Sequence, residues 1–126
     1  MRKIINTEQA PAAIGPYVQA VAVNGLVYTS GQLPIDVTSG EMPESIEEQT
    51  KASLENVKYI LEEAGSGMDK IVKTTVFLSD MNNFSAMNTV YASYFSEGAF
   101  PARSAIEVAR LPKDALVEIE AVAIVD

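Results

Sequence analysis

Arg103 and Glu118 are the two side chains best suited to chemistry on a small polar molecule. Arg103 follows Pro101-Ala102 at the predicted start of a strand, so its stem leaves a stiff stretch of backbone. A planar guanidinium grips a carboxylate through two parallel, charge-assisted hydrogen bonds. The residue type by itself leaves a surface or interface ion pair equally open. Glu118 has apolar Leu116 and Val122 on its own side of a strand. Desolvation there disfavours the charged form, raises the pKa and suits the carboxyl to proton transfer near neutral pH. Glu120 shares that side and is the second choice. For both, a solvated or intersubunit salt bridge is the commoner fate of a strand carboxylate. Tyr17 follows Gly15-Pro16, a rigid turn; its ring can wall a pocket, or it is a buried strand tyrosine. Ser30-Gly31 closes a strand, where glycine admits a ligand close to the backbone, although an ordinary exit into a loop looks the same.

The elements that must hold these residues are legible from pattern. Tyr17 to Val23 and Leu26 to Gln32 read as strands joined by Asn24-Gly25, a strong hairpin signal. Pro34 to Pro43 reads as a loop. Residues 45–64 read as a helix: Ser45 and Glu48 make a capping-box pattern, Ile46, Leu54, Val57, Leu61 and Ala64 share a face, and Gly65 is the stop. Ile71 to Ser79 reads as a strand and Asn83 to Phe95 as a second helix with the stripe Phe84, Met87, Tyr91 and Tyr94. Arg103 to Ala109 and Ala115 to Val125 complete a β-β-α-β-α-β-β order, and the pattern allows a further short strand near the N-terminus. That is an α+β layout with helices on one sheet face. In the last strand Val117, Ile119, Ala121, Ala123 and Val125 point one way, under the helices. Leu116, Glu118, Glu120, Val122 and Ile124 point the other way. Two helices cannot cover both faces, so the second face is expected to pack against another subunit, with its carboxylates near the interface.

Composition narrows the chemistry. The 126 residues suit one domain, 1–126. Histidine and cysteine are both absent, which excludes Ser-His-Asp and Cys-His mechanisms, disulfides and thiolate metal sites. Carboxylate, lysine, tyrosine, a terminus or bound water remain for acid-base work. Nine basic against seventeen acidic residues give a net charge of −8, and Arg2-Lys3 is the longest basic cluster, which disfavours nucleic acid as a partner. The start of the chain lacks an apolar export region, and no segment approaches a membrane span, so the cytoplasm is the default location.

Several segments, in order, resemble the Rid (YjgF) family over nearly the whole length. They are Ala12-Ala13-Ile14-Gly15-Pro16-Tyr17-Val18-Gln19-Ala20, Ser30-Gly31-Gln32-Leu33-Pro34, Val72-Lys73-Thr74-Thr75-Val76-Phe77-Leu78, the run from Pro101 to Pro112, and Val117-Glu118-Ile119-Glu120-Ala121. The resemblance implies a chorismate-mutase-like fold of the bacillary type and a homotrimer with sites in the clefts between subunits. It implies hydrolysis of 2-aminoacrylate, 2-iminobutanoate and related imines to 2-keto acids and ammonia, with no metal or organic cofactor. By the same resemblance Arg103 binds the substrate carboxylate, and Glu118 orients the attacking water. Asn88, four residues after Phe84 on the second helix, stands where family members have a site asparagine, its other reading being a helix-surface or intersubunit hydrogen bond, and Tyr17, Ser30 and Gly31 are the further candidates for lining the site. Many family members carry a cysteine where this chain has Ala105, so a thiol has no part in its chemistry, while the Ala105 N–H remains a donor. Arg110 recurs in the motif and reads as structural.

Two rivals remain from the sequence. One is an endoribonuclease or translation inhibitor, an activity also attached to this family. The other is a non-catalytic module that binds small carboxylates, for which Arg103 alone would suffice.

Overall fold

The structure, a computed structural model, describes residues 1–125. Its elements are β1 Lys3–Ile5, β2 Ala20–Val23, β3 Leu26–Thr29, α1 Ile46–Glu63, β4 Ile71–Leu78, α2 Phe84–Ala92, β5 Ala102–Glu107 and β6 Val117–Ile124. The strands form one mixed sheet in the order β1-β2-β3-β6-β4-β5. Among the described strands only β4 and β5 run parallel, and α2 makes the crossover that parallel neighbours require.

Local chemistry accounts for the elements. Asn24 and Gly25 both take positive φ, 51° and 79°, so Val23 pairs directly with Leu26 across a two-residue turn. The Ser45 side chain accepts from the Glu48 N–H at 3.1 Å, and Glu47 and Glu48 lie at the positive end of the helix dipole. At the far end Ser66 N–H donates to the Leu61 carbonyl and Gly65 N–H to that of Glu62, with Gly65 at φ +84°. Those two bonds are a Schellman stop. Leu54, Val57, Ile60 and Leu61 are buried against the sheet.

The second helix stops at Ala92, three residues short of the predicted end. The N–H groups of Ser93, Tyr94 and Phe95 donate to carbonyls three residues back, and the Ser93 hydroxyl also bonds the Val90 carbonyl. The chain therefore tightens into turns instead of continuing an α-helical ladder. Met87 and Tyr91 of the predicted stripe are buried, and Phe84 and Tyr94 half-buried.

The first two predicted strands are also shorter than expected. The chain before β2 turns at Gly15, with φ +118°, and Tyr17 N–H donates to the Gly15 carbonyl. Regular pairing of β3 ends at Thr29, and Gln32 then bridges Ile119. Between the pairs Tyr28–Val122 and Gln32–Ile119 the β3 side carries one residue more than β6. That is a bulge at Ser30-Gly31, and the Thr29 hydroxyl fills the gap in the ladder by accepting from Ala121 N–H.

The alternation along β6 divides the sheet. Val117, Ile119, Ala121 and Ala123 are buried on the helix side, while Val125 is only half-buried. On the other side no element of the described chain covers Glu118, Glu120, Val122 and Ile124, whereas Leu116, expected with them, lies before β6, donates its N–H to Gln49 of α1 and packs partly against the core. Their neighbours Tyr28 and Ile106 are 46% and 44% exposed. Among the described residues no helix is long and apolar enough to cross a membrane.

Candidate active site

Arg103 sits on β5 opposite Thr74 of β4, on the helix side of the sheet. Its Nη1 donates to Asn88 Oδ1 at 2.6 Å. The guanidinium lies over the rings of Tyr91 and Phe84, with its carbon 4.7 and 5.4 Å from the centroids. Phe84, Asn88 and Tyr91 occupy one face of α2 at intervals of four and three, so one helix supplies both stacking rings and the hydrogen-bond acceptor. The Tyr91 hydroxyl is fixed by Thr74 Oγ1 at 2.7 Å. Burial pushes the Tyr91 hydroxyl pKa up, against the opposing pull of the Thr74 bond and the Arg103 charge, so the ring stays neutral beside the cation. No carboxylate of the described residues pairs with Arg103. Most of the guanidinium's N–H groups therefore remain for another acceptor. Ala105 lies two residues further on the same side, half-buried against the core.

Glu118 and Glu120 lie on the opposite, uncovered face, beside Phe77 and Thr75 of β4. Burial raises the Glu118 pKa, and the charge of Glu120 adds to the shift. Glu118 has no hydrogen-bond or ion-pair partner among the described residues. Gly31 abuts it: a Cβ at position 31 would stand 2.9 Å from the Glu118 carboxyl carbon and Oε2. The glycine therefore serves the approach of a protein carboxyl. The Ser30 hydroxyl is spent on the Val18 carbonyl at 2.6 Å, and Ser30 N–H donates to Gln19 O. These bonds tie the bulge to the segment carrying Tyr17, whose side chain is 51% exposed. Arg110 makes a bidentate pair with Asp114 at 2.6 and 3.1 Å, in keeping with a structural reading.

The candidate residues thus fall into two sets. Arg103, Asn88 and Ala105 face the helices. Glu118, Glu120 and Gly31 lie on the uncovered side, with Ser30 and Tyr17 joined to them through the bulge. Arg103 and Glu118 are two strands apart and three residues out of register, hence about 10 Å across the sheet and about 10 Å along it, on opposite faces. Cavities of about 640 and 440 Å³ exist elsewhere, and none of these residues lines either one. Sequence reasoning missed Phe84, Tyr91 and Thr74, which hold the guanidinium. The signal was present in the Phe84-Asn88-Tyr91 spacing, which reads equally well as a core stripe.

Residues 7–125 match the family described as endoribonuclease L-PSP, Ribonuc_L-PSP. The chain belongs to this Rid (YjgF) family. A Salmonella typhimurium relative named 2-iminobutanoate/2-iminopropanoate deaminase is 54% identical over 98% of each chain. The crystal structure of the Escherichia coli YjgF gene product superposes with a TM-score of 0.93 at 53% identity, covering 97% of this chain and 98% of that one. That of Escherichia coli TdcF with bound serine gives 0.93 at 47% identity, over 98% and 99%. These Rid structures share the two helices packed on one mixed sheet.

Proposed function

We propose that this Rid protein hydrolyses 2-imino acids to 2-keto acids and ammonia, at a site that two copies of the chain complete together. One observation carries the reading: a half-buried guanidinium, stacked on two rings and steered by Asn88, has no carboxylate partner among the described residues. A small planar carboxylate satisfies it with two parallel bonds. The deaminase name of the Salmonella relative and the serine bound in TdcF support a small amino-acid-derived ligand.

The opposite placement of Arg103 and Glu118 makes a second copy necessary. Its uncovered face, seated against the β5 edge of the first, brings Glu118, Gly31 and Tyr17 toward Arg103. Burying that apolar face is the driving force. The homotrimer that family resemblance implies is one closed arrangement of this kind.

The reaction then runs as follows. Arg103 and Asn88 hold the carboxylate end, and an enamine substrate tautomerises to the imine. Glu118, ionised, accepts a proton from a water whose oxygen attacks C2 of the protonated imine. The tetrahedral carbinolamine keeps both the hydroxyl and the amine. The proton returns through Glu118 to nitrogen, the C–N bond breaks, the hydroxyl proton is released and the C2 carbonyl forms, with ammonia leaving. One water is consumed for each imine, and positioning with electrostatics supplies the rate.

The test couples threonine dehydratase to the protein and times 2-ketobutyrate release, with semicarbazide trapping free imine. Wild-type protein should accelerate release and suppress trapping, and Arg103→Ala should do neither. Equal trapping with and without the protein would end the deaminase reading. The endoribonuclease description of the family favours a second reading. It requires salt-dependent RNA binding, which a chain of net charge −8 is expected not to show even at low salt.

A further inference from the structure

The cavity of about 640 Å³ lies between α1 and the loop that leads into it, and includes none of the residues assigned above. Its polar lining is unbalanced: Glu8, Asp36, Glu48 and Glu55 face a single ammonium, Lys51. Two of these carboxylates are already oriented. Asp36 Oδ1 accepts from Thr38 N–H at 2.8 Å and Glu55 Oε2 from the Tyr94 hydroxyl at 2.6 Å, which leaves each with a second oxygen.

Asn56 makes the cavity a built site. It is only 4% exposed. Its Nδ2 donates to the carbonyls of Leu33 and Ile35 at 3.1 and 2.9 Å, which fixes the direction of the amide and anchors the loop wall. Its Oδ1 has no partner among the described residues. That oxygen is not sealed off, since among them only Ser53 Oγ is both sealed and unpartnered. Asn56 lines the cavity and keeps that acceptor unpartnered. An unpartnered acceptor on a largely buried residue, together with these carboxylates, calls for a ligand that brings N–H donors and positive charge. Tyr59 also lines the cavity, and its ring already takes a cation, Lys58 Nζ lying 5.8 Å from the centroid.

The carboxylates do not converge. Among the described residues no three acids are grouped to hold a metal ion. Apolar Ile35, Val37 and Ala52 lie among them. Separated negative charges with hydrocarbon between them match a cation whose charges are separated by methylenes. We propose that this cavity binds a small aliphatic diamine, one ammonium near Asn56 and Glu55 and the other toward Asp36. This site is independent of the deaminase reading, and its test reads binding, not turnover.

Isothermal titration of the full chain with putrescine tests it. Saturable binding of one diamine per chain is expected, with a Kd of about 1 mM or tighter. Uncharged 1,4-butanediol should give no heat of binding. Asp36→Asn with Glu55→Gln should weaken binding about fivefold or more, from the loss of two partly exposed charge pairs. Glu63→Gln with Glu97→Gln removes the same charge elsewhere and should leave the affinity unchanged. Tyr59→Ala, which keeps every carboxylate, should also weaken binding. Amide chemical-shift changes should map to residues 35–38 and 48–59. Non-saturable binding, equal losses in the two double variants, or shifts spread over the acidic surface would overturn the proposal.

Discussion

At Arg103 geometry matters as well as charge. Lysine would keep the charge and lose the fork that matches a carboxylate. Arg103→Lys and Arg103→Ala are therefore both expected to lower kcat/KM for 2-iminobutanoate, the alanine variant by about 100-fold, as when one member of a desolvated charge pair is truncated. Unchanged thermal unfolding of both variants would separate lost binding from lost fold. Glu118 makes a prediction about pH. Its pKa is raised, chiefly by burial and secondarily by Glu120, and the proposed reaction uses the ionised form. Turnover should fall with decreasing pH while ordinary glutamates are still ionised. Glu120→Gln should shift that acidic limb to lower pH. Stability has the matching sign. The fold binds the Glu118 proton more tightly than the unfolded chain does. Full stability is present below the unfolded pKa and is lost as pH rises through the folded one. Urea midpoints measured across that window should be flatter in Glu118→Gln.

Among the elements, the bulge in β3 positions more of the site than any helix. Gly31→Ala is expected to push the Glu118 carboxyl aside and cut kcat severalfold, while the urea midpoint changes little, because the displaced group is the end of a flexible side chain. Ser45→Ala is the converse case: loss of the α1 cap should cost about 1 kcal/mol in urea unfolding with normal turnover. The caps, the Asn24-Gly25 turn and the buried face of α1 could be read from sequence because each rests on contacts within a few residues. The bulge could not, since Ser30-Gly31 looks like a plain strand end and its extra residue shows only against β6. The end of α2 was misplaced for a similar reason. The Tyr94 spacing suits a helix, but the Ser93 hydroxyl and a tighter turn take the carbonyls that a helix would use.

At the scale of the molecule, the sheet has one face under helices and one face bare. The alternation foretold the sides of Val117 to Ile124, although Leu116, placed on the bare face, packs partly against the core. It could not foretell that Arg103 falls on the helix side, because the register of β5 on β4 is set by tertiary pairing. Family resemblance grouped Arg103 with Glu118, and the register separates them within one chain. Val122→Lys, on the bare face, should disrupt assembly and turnover together while circular dichroism retains the secondary structure; sedimentation would read the first and 2-ketobutyrate release the second. The shared site itself is tested most directly by mixing two inactive variants. Arg103→Ala and Glu118→Gln chains, unfolded together and refolded at equal ratio, should regain about one quarter of wild-type deaminase activity, since a site between copies is intact when each side happens to come from the right variant. Refolded wild-type protein sets the scale, and each variant refolded alone should stay inactive. A mixture no more active than its components, under conditions in which the chains demonstrably co-assemble, would contradict a site built from two copies.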